Sequence, residues 1–215
     1  RYISVTGVQT CALPILASEA AQRVPVAVTG LGVVTPLGLD VASTWDALVA
    51  GRSGTGPVTA FDATGHACRV AAEVKGFDPS TTGLEPREVR RLDRFAQFAM
   101  AAAGEAVRDA GLSMPLADPE RVGVYVGNGM GGLNTIAEQL AVLSARGPGR
   151  VSPFLVPMTL ANMASGHVSL AFGAMGPNLA PVSACATGAH AIGEAAEVIR
   201  RGDADVMIAG GTEAV

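Results

Sequence analysis

Short apolar runs alternate with amphipathic stretches along most of the chain. Continuous runs rich in Val, Ile and Ala predict buried strands, whereas apolar residues spaced three and four apart predict helices. Strands are predicted at residues 24–30, 121–127, 177–184 and 204–210, with a short edge strand near 68–74. Helices are predicted at residues 40–51, 85–111, 133–145, 158–172 and 186–200. This alternation predicts an α/β fold with a mostly parallel sheet and helices on both faces.

Two of the predicted helices have a recognisable end and a recognisable face. Asp40 is placed to cap the first of them, whose apolar face consists of Val41, Trp45, Leu48 and Val49. The segment 85–111 is the clearest helix, and Gly111 follows it as a terminating residue. Its apolar face is mostly alanine, which predicts close packing against a sheet.

Composition and charge narrow the picture. The chain has 215 residues, of which 49% are hydrophobic and 16% charged, so much of it must be buried. A formal net charge of −4 argues against a nucleic-acid partner, and no apolar run approaches the roughly 20 residues that span a membrane. The three cysteines, Cys11, Cys68 and Cys185, are few and widely spaced. They indicate a reducing compartment, which we interpret as the cytoplasm, rather than a disulfide framework or a metal site.

The first residues differ from the rest. Residues 1–22 carry one short apolar patch that Pro14 interrupts, and Arg1 is the only positive charge before it. A secretory signal peptide is the alternative interpretation, but such a signal needs a longer apolar region and more positive charge ahead of it. We expect residues 1–22 to be a leader outside the domain, of disordered or artefactual origin, and residues 23–215 to form the domain.

The glycine-rich stretch at residues 127–132 matches the pattern G-x-G-x-x-G after a predicted strand. A dinucleotide site would also need an acidic residue about 20 positions later, to hold the ribose. No Asp or Glu occurs between Glu138 and Glu194. The stretch is therefore predicted to be a close-packed turn, from which Met130 projects into a cavity or an interface.

Cys185 lies where a predicted strand turns into a helix. The N–H groups of a first helical turn lack partners, and the helix dipole favours negative charge beside them. Small neighbours leave the sulfur accessible, so Cys185 is a candidate nucleophile, although most isolated cysteines are buried and inert. A nucleophilic cysteine usually needs a base nearby, and spacing assigns that role to none of the three histidines, His66, His167 and His190.

Arginines cluster at the start of the predicted helix 85–111. They are Arg87, Arg90, Arg91 and Arg94, with Arg146 and Arg150 further along. One interpretation is a solvated helix end. The other is a docking patch for an acidic partner.

Several stretches taken together resemble the β-ketoacyl-acyl-carrier-protein synthases, above all the elongating type II enzymes of fatty-acid synthesis. They include Leu92-Asp-Arg-Phe-Ala-Gln97, Gly127-Asn-Gly-Met-Gly-Gly132 and Ser183-Ala-Cys-Ala-Thr-Gly188. Further matches lie at residues 28–38, 151–157, 162–163, 176–177 and 202–211. The resemblance runs in order from residue 24 to the end and covers the N-terminal half of that family. It implies the thiolase fold, made of two similar halves, of which this chain would be the first βαβαβαββ half.

The resemblance also implies roles for individual residues. Cys185 would be the nucleophile that carries the acyl group, with its backbone N–H in the oxyanion hole. Met130 and Phe154 would line the acyl pocket. Arg87, Arg90, Arg91 and Arg150 would dock acyl carrier protein. The family's two catalytic histidines and its lysine belong to the second half, so the three histidines here are not expected to replace them.

The function implied is that of a 3-oxoacyl-carrier-protein synthase. Such an enzyme elongates fatty acyl chains by decarboxylative Claisen condensation of an acyl-enzyme thioester with malonyl-carrier protein. The full-length protein is expected to be a homodimeric acyltransferase without a cofactor or metal, and this fragment alone is expected to be inactive. Two alternatives stay open: a ketosynthase of a polyketide system, and a non-catalytic module for carrier-protein binding or dimerisation.

Overall fold

The computed structural model describes residues 24–214, so the predicted leader at 1–22 lies outside the described residues. No helix in this part is long and apolar enough to cross a membrane. Its helices are α1 Val41–Val49, α2 Pro86–Val89, α3 Arg94–Asp109, α4 Leu133–Arg146, α5 Leu155–Thr159, α6 Met163–Phe172 and α7 Thr187–Arg201. Its strands are β1 Gly56–Pro57, β2 Val70–Ala71, β3 Val122–Gly127, β4 Asn178–Leu179 and β5 Val206–Gly211. Four 3₁₀ turns connect them, at Pro79–Thr82, Pro119–Arg121, Pro148–Arg150 and Ala184–Ala186.

The central sheet has three strands in the order β4-β3-β5. Both pairings are parallel: β3 pairs with β5 along its full length, from Val122 opposite Val206 to Gly127 opposite Gly211. The pairing of β3 with β4 covers two residues of each strand. β1 and β2 form a separate antiparallel pair, which contains the predicted edge strand near 68–74. The predicted α/β architecture with a mostly parallel sheet is confirmed.

Alternate residues of β3 face two different layers of helices. Val122, Val124 and Val126 are buried in one core with α3 and α6. On the opposite side, Gly127 lies against Thr187 at the start of α7. α7 buries Ala191, Ala195 and Val198. Helices therefore cover both faces of the sheet, and successive β3 side chains point to opposite faces, as in any strand.

The predicted helix 85–111 is wrong in one respect, because it is two helices, α2 and α3. The break follows from Asp93, which is buried and extended and accepts a hydrogen bond from Phe95 N at 3.3 Å. A side chain that caps a new helix interrupts the previous one. The Gln97 amide bridges the break through bonds to the carbonyls of Val89 and Leu92. The predicted helix 158–172 is likewise divided, into α5 and α6.

The strand predicted at residues 24–30 is wrong. This segment pairs with no strand among residues 24–214, and Val28 is 76% exposed. The chain that follows runs along α3, where Leu31 N–H donates to Asp109 and Val33 N–H donates to Glu105. Side-chain carboxylates thus satisfy N–H groups that a neighbouring strand would otherwise bind.

The predicted cap of α1 is confirmed, but the apolar face that the sequence defines is not the face that α1 buries. Asp40 accepts a hydrogen bond from Ser43 N at 2.7 Å. The residues that α1 buries are Thr44 and Ala47. Trp45 is 64% exposed, and Leu48 and Val49 are exposed with it. The apolar stripe predicted by the sequence faces away from the described core.

Candidate functional site

Cys185 lies in the 3₁₀ turn Ala184–Ala186, directly before α7, and is exposed with a free thiol. Ala184 has φ of 51°, and it is the one non-glycine residue with positive φ among those described. Holding a residue other than glycine in this region costs on the order of 1 kcal/mol or more, and such strain clusters at functional sites. The turn therefore presents Cys185 at the surface in a conformation that its neighbours must maintain.

Two hydrogen bonds maintain that conformation. Ser183 N–H donates to Thr187 Oγ1 at 2.8 Å, and Thr187 is buried. Ser183 Oγ lies 2.7 Å from His190 Nδ1, one turn into α7. His190 thus contacts the residue that precedes the strained Ala184 and supports the turn. Sequence reasoning set His190 aside as a base and did not find this bond, because the partner lies seven positions away in a bend.

Glycines let the backbone of the two longest strands approach the turn. A Cβ on Gly127 would overlap Thr187 Cγ2 and the carbonyl of Pro181. A Cβ on Gly211 would lie 2.8 Å from Gly188 Cα in the first turn of α7. Real Cβ atoms do not come that close to backbone. The carboxyl ends of β3 and β5 therefore form a close-packed base for the turn that holds Cys185.

The glycine-rich loop after β3, residues 128–132, is also close-packed, as predicted. Asn128 is buried, its side-chain amide donates to Thr212 O at 3.0 Å, and its side-chain oxygen accepts from Gly131 N. Glu213 Oε2 accepts from Gly129 N and Met130 N, both at 3.1 Å. The N–H groups that a phosphate would need are thus already bonded to protein.

The Cys185 backbone N–H makes no hydrogen bond to a protein acceptor within residues 24–214. It lies beside an accessible sulfur at the start of a helix. An oxygen bound next to that sulfur would meet a free donor and the positive end of the α7 dipole. This arrangement suits a tetrahedral intermediate formed by attack of the sulfur on a carbonyl carbon.

The two predicted pocket residues lie on neighbouring elements. Met130 is 56% exposed in the glycine-rich loop, and Phe154 immediately precedes α5. The two elements meet where Gly132 N–H donates to Thr159 O at 3.1 Å. The Phe154 ring also packs under the Arg91 guanidinium, 4.4 Å from ring centroid to Cζ. One predicted docking residue therefore contacts one predicted pocket residue.

The other predicted docking arginines are exposed. Arg87 lies in α2, Arg90 ends it, and Arg150 lies in the turn after α4. None of these three forms an ion pair with a residue in the described part of the chain. Arg94 differs, since it donates to Val74 O and packs on Phe77 and Phe98. The exposed arginines leave their charges available to a partner.

The other two histidines lie on other elements, far from the cysteine turn in sequence. His66 packs edge to face on Phe61 before β2. His167 is half-buried on α6, and burial lowers the pKa of its imidazole. Within residues 24–214, no three His, Cys, Asp or Glu side chains are grouped as metal ligands would be.

Solved ketosynthases share this fold. The ishigamide ketosynthase/chain length factor superposes with a TM-score of 0.78 at 31% identity, covering 87% of this chain and 47% of that one. A β-ketoacyl synthase from Burkholderia phymatum gives 0.73 at 28% identity, covering 85% and 45%. A ketosynthase bound to the hexaketide, in complex with its type II acyl-carrier protein, gives 0.68 at 26% identity, covering 87% and 50%. The fold thus defines the class: this chain has the thiolase fold of ketosynthases and covers the N-terminal half of it.

The family follows from sequence. The family model described as "Beta-ketoacyl synthase, N-terminal domain" matches residues 23–215, and the chain belongs to that family. Relatives named 3-oxoacyl-[acyl-carrier-protein] synthase 2 are 47% identical in Synechocystis over 88% of this chain and 45% of the relative. The relative in Coxiella burnetii is 48% identical over 87% of this chain and 45% of its own length. The relative in Staphylococcus aureus is 45% identical over 90% of this chain and 47% of its own length. The chain spans about half the length of the curated relatives it matches.

Proposed function

We propose that this chain is the N-terminal half of an elongating 3-oxoacyl-carrier-protein synthase and that Cys185 is its acyl-carrying nucleophile. The observation that carries the proposal is the turn at Cys185. An exposed thiol there follows a strained Ala184, precedes a helix and has an unbonded N–H beside it. The likeness to relatives named 3-oxoacyl-[acyl-carrier-protein] synthase 2 supports the same assignment.

The proposed chemistry has two stages. The Cys185 sulfur attacks the carbonyl carbon of an acyl-carrier-protein thioester; a new C–S bond forms, and the carrier's thiol leaves with a proton. Malonyl-carrier protein then loses CO₂, and its carbanion attacks the Cys185 thioester. The β-ketoacyl product stays on the carrier, and the Cys185 sulfur is released. In both stages the carbonyl oxygen gains negative charge, which the Cys185 N–H stabilises; removing one such donor typically costs about 3 kcal/mol at the transition state.

Surface charge supports the proposed carrier-protein partner. Arg87, Arg90 and Arg150 are exposed cations on a chain of net charge −4, and Arg91 joins them while stacked on Phe154. Such a local patch attracts an acidic partner. We propose that these arginines dock acyl carrier protein, that Met130 and Phe154 line the acyl pocket, and that the full-length protein works as a cytoplasmic homodimer.

The test is acyl transfer to Cys185 in the full-length protein. After incubation with carrier protein that is loaded with an acyl group, the protein should gain the mass of one acyl group. Peptide mapping should locate this group on Cys185. Cys185→Ala should abolish the gain, a loss of at least about a thousandfold for removal of a nucleophile. Cys68→Ala is the matched control, because Cys68 is also exposed and free. Acylation of Cys68 in place of Cys185 would sink the proposal.

A second prediction concerns the chain by itself. The family's histidine pair and lysine are expected in the second half. Residues 23–215 alone should therefore not decarboxylate malonyl-carrier protein. Measurable release of CO₂ by them would contradict the expectation that the histidine pair and the lysine belong to the second half.

A polyketide ketosynthase is the second candidate. The fold likeness to the ishigamide ketosynthase and to a type II ketosynthase–carrier complex favours it. The two candidates differ in the acyl group that they accept. In a fatty-acid enzyme, β-keto groups are reduced before the next condensation, so purified full-length protein should accept saturated acyl groups. Acylation only by poly-β-ketoacyl groups would favour the polyketide assignment.

A non-catalytic module for carrier-protein binding or dimerisation is the third candidate. It predicts that Cys185→Ala changes nothing, while charge reversal at Arg90 and Arg91 abolishes carrier binding.

A further inference from the structure

Glu213 follows β5 and reaches back to the glycine-rich loop beside the cysteine turn. Its Oε2 accepts from Gly129 N and Met130 N, both at 3.1 Å. Its Oε1 accepts from the Asn128 side-chain amide and from Ala214 N, both at 3.3 Å. Four donors therefore converge on one carboxylate, and two of them are successive backbone N–H groups, an arrangement that favours an anion.

The loop held by Glu213 lies next to the cysteine turn. A Cβ on Gly129 would lie 3.4 Å from Ala184 Cα and 2.9 Å from Glu213 Oε2. Gly129 is thus packed between the carboxylate and the strained residue that precedes Cys185. Because only the width of a methyl group separates Gly129 from Ala184, a shift of Gly129 toward that residue would disturb the cysteine turn.

The same carboxylate fixes Met130. It binds the Met130 backbone N–H, while the Met130 side chain is more than half exposed. The backbone position of Met130 is therefore set by Glu213 and not by burial of its own side chain. We propose that Glu213 is a positioning residue that holds residues 128–131 in place, and thereby sets both the cysteine turn and the position of Met130. This inference rests on the proposed function, in which Cys185 carries the acyl group and Met130 lines its pocket.

Glu213→Gln tests the role of the carboxylate with almost no change of shape. All four partners are donors, so the amide NH₂ of Gln must face a donor in either orientation. The loop then has to move or lose hydrogen bonds. Glu213→Asp keeps the charge but shortens the side chain, and should retain part of the function. Glu194→Gln is the matched control, since Glu194 is exposed on α7 and outside the loop.

Two measurements on the full-length protein give distinct outcomes. The first is amide hydrogen exchange. The backbone amides of Gly129 and Met130 should exchange about tenfold faster in Glu213→Gln than in wild type. Their exchange rates should not change in Glu194→Gln. The second is the rate of Cys185 acylation by hexanoyl- and hexadecanoyl-carrier protein. Glu213→Gln should slow it by about tenfold, because small displacements at a reacting centre are costly. The ratio of the two rates should change, with Glu213→Asp between Gln and wild type.

A merely structural role would lower the melting temperature and leave the ratio of the two rates unchanged, and that result overturns the inference. Faster exchange with unaltered acylation overturns it as well. If Glu213→Gln does not fold, Glu213→Asp decides by the same ratio. Failure of wild-type protein to become acylated by any carrier would instead reject the proposed function.

Discussion

At the carboxyl end of the sheet, β3, β5 and α7 meet through glycine backbone, whereas at the amino end an exposed ion pair joins the same two strands. Gly127 and Gly211 leave no room for a side chain at the first end. At the second, Arg121 Nη2 lies 2.6 Å from Asp205 Oδ1, and Arg121 Nη1 donates to Gly202 O. Both ends tie β3 to β5, but by different physical means.

The difference teaches where this fold tolerates change. Close backbone contacts are rigid, because packed interiors cannot absorb an added methyl group without moving. Exposed ion pairs contribute little to stability and are screened by salt. The end that carries Cys185 is therefore the intolerant end of the sheet, as a site that must hold a strained turn requires. Substitutions at the carboxyl end should therefore lower the free energy of unfolding more than substitutions at the amino end.

The largest effect should come from Gly127→Ala. The new methyl would overlap Thr187 and the Pro181 carbonyl, so the strand or the turn must move. We expect a loss of about 3 kcal/mol in the free energy of unfolding, measured by urea denaturation, together with slower alkylation of Cys185 by iodoacetamide. Gly193→Ala is the control. Gly193 lies in α7 with open space around it, so the same change should stabilise by about 0.5 kcal/mol. Similar effects at both positions would contradict the comparison.

The next effect should come from Asp93→Ala, which removes a buried carboxylate close to the glycine-rich loop. Asp93 Oδ2 accepts from Thr135 Oγ1 at 2.6 Å and from Thr135 N at 3.2 Å, and Oδ1 caps α3. It therefore joins the starts of α3 and α4. Leaving these buried donors without a partner should cost about 2 kcal/mol, measured by urea denaturation at pH 7.

Asp40→Ala serves as the matched comparison for Asp93→Ala. Asp40 also caps a helix, but on the exposed α1. Asp40→Ala should lower the free energy of unfolding clearly less than Asp93→Ala does. An equal or larger loss for Asp40→Ala would show that burial is not the reason for the effect at Asp93.

Thr212→Val should have a moderate effect near the same end. Thr212 Oγ1 donates to the Phe95 carbonyl at 2.6 Å and ties the end of β5 to α3. Valine has nearly the same shape without the hydroxyl, so the change isolates one partly buried hydrogen bond. We expect a loss of about 1 kcal/mol by urea denaturation. Thr55→Val is the control, since Thr55 is exposed and its hydroxyl bonds nothing in the described part of the chain.

The sequence predicted elements well where one segment carries its own signal. β3 and β5 are apolar runs that end in glycine, and α7 has a strong amphipathic pattern, so all three were predictable. The apolar run before Cys185 and the amphipathic pattern after it placed this residue at the start of a helix, where the structure has it. These features depend on local composition and on motifs, which are present in the chain itself.

Other features depend on partners distant in sequence, and these were missed. The apolar run at residues 24–30 has the composition of a strand, but it leads into a segment whose Leu31 and Val33 bind α3 carboxylates, and no local pattern indicates that partner. The exposed face of α1 shows the same limit, because periodicity defines a face and not what covers it. Glu213 contacts residues some 80 positions earlier, and such a bond leaves no mark in spacing.

The smallest effect should come from Asp205→Asn at the amino end. The hydrogen bond from Arg121 lowers the pKa of the Asp205 carboxyl. The pKa of Asp205 is thus lower in the folded than in the unfolded protein. The pair therefore stabilises the fold at pH values above the ordinary carboxyl pKa of about 3.9. This contribution disappears as the pH falls through the folded pKa. Asp205→Asn should therefore lower the urea midpoint slightly at pH 7, and the difference from wild type should vanish in acid and shrink in high salt. The Gly127→Ala effect should not respond to salt, because it arises from overlap of atoms and not from charge. A salt-insensitive loss at Asp205 as large as that at Gly127 would show that the two ends of the sheet are equally rigid.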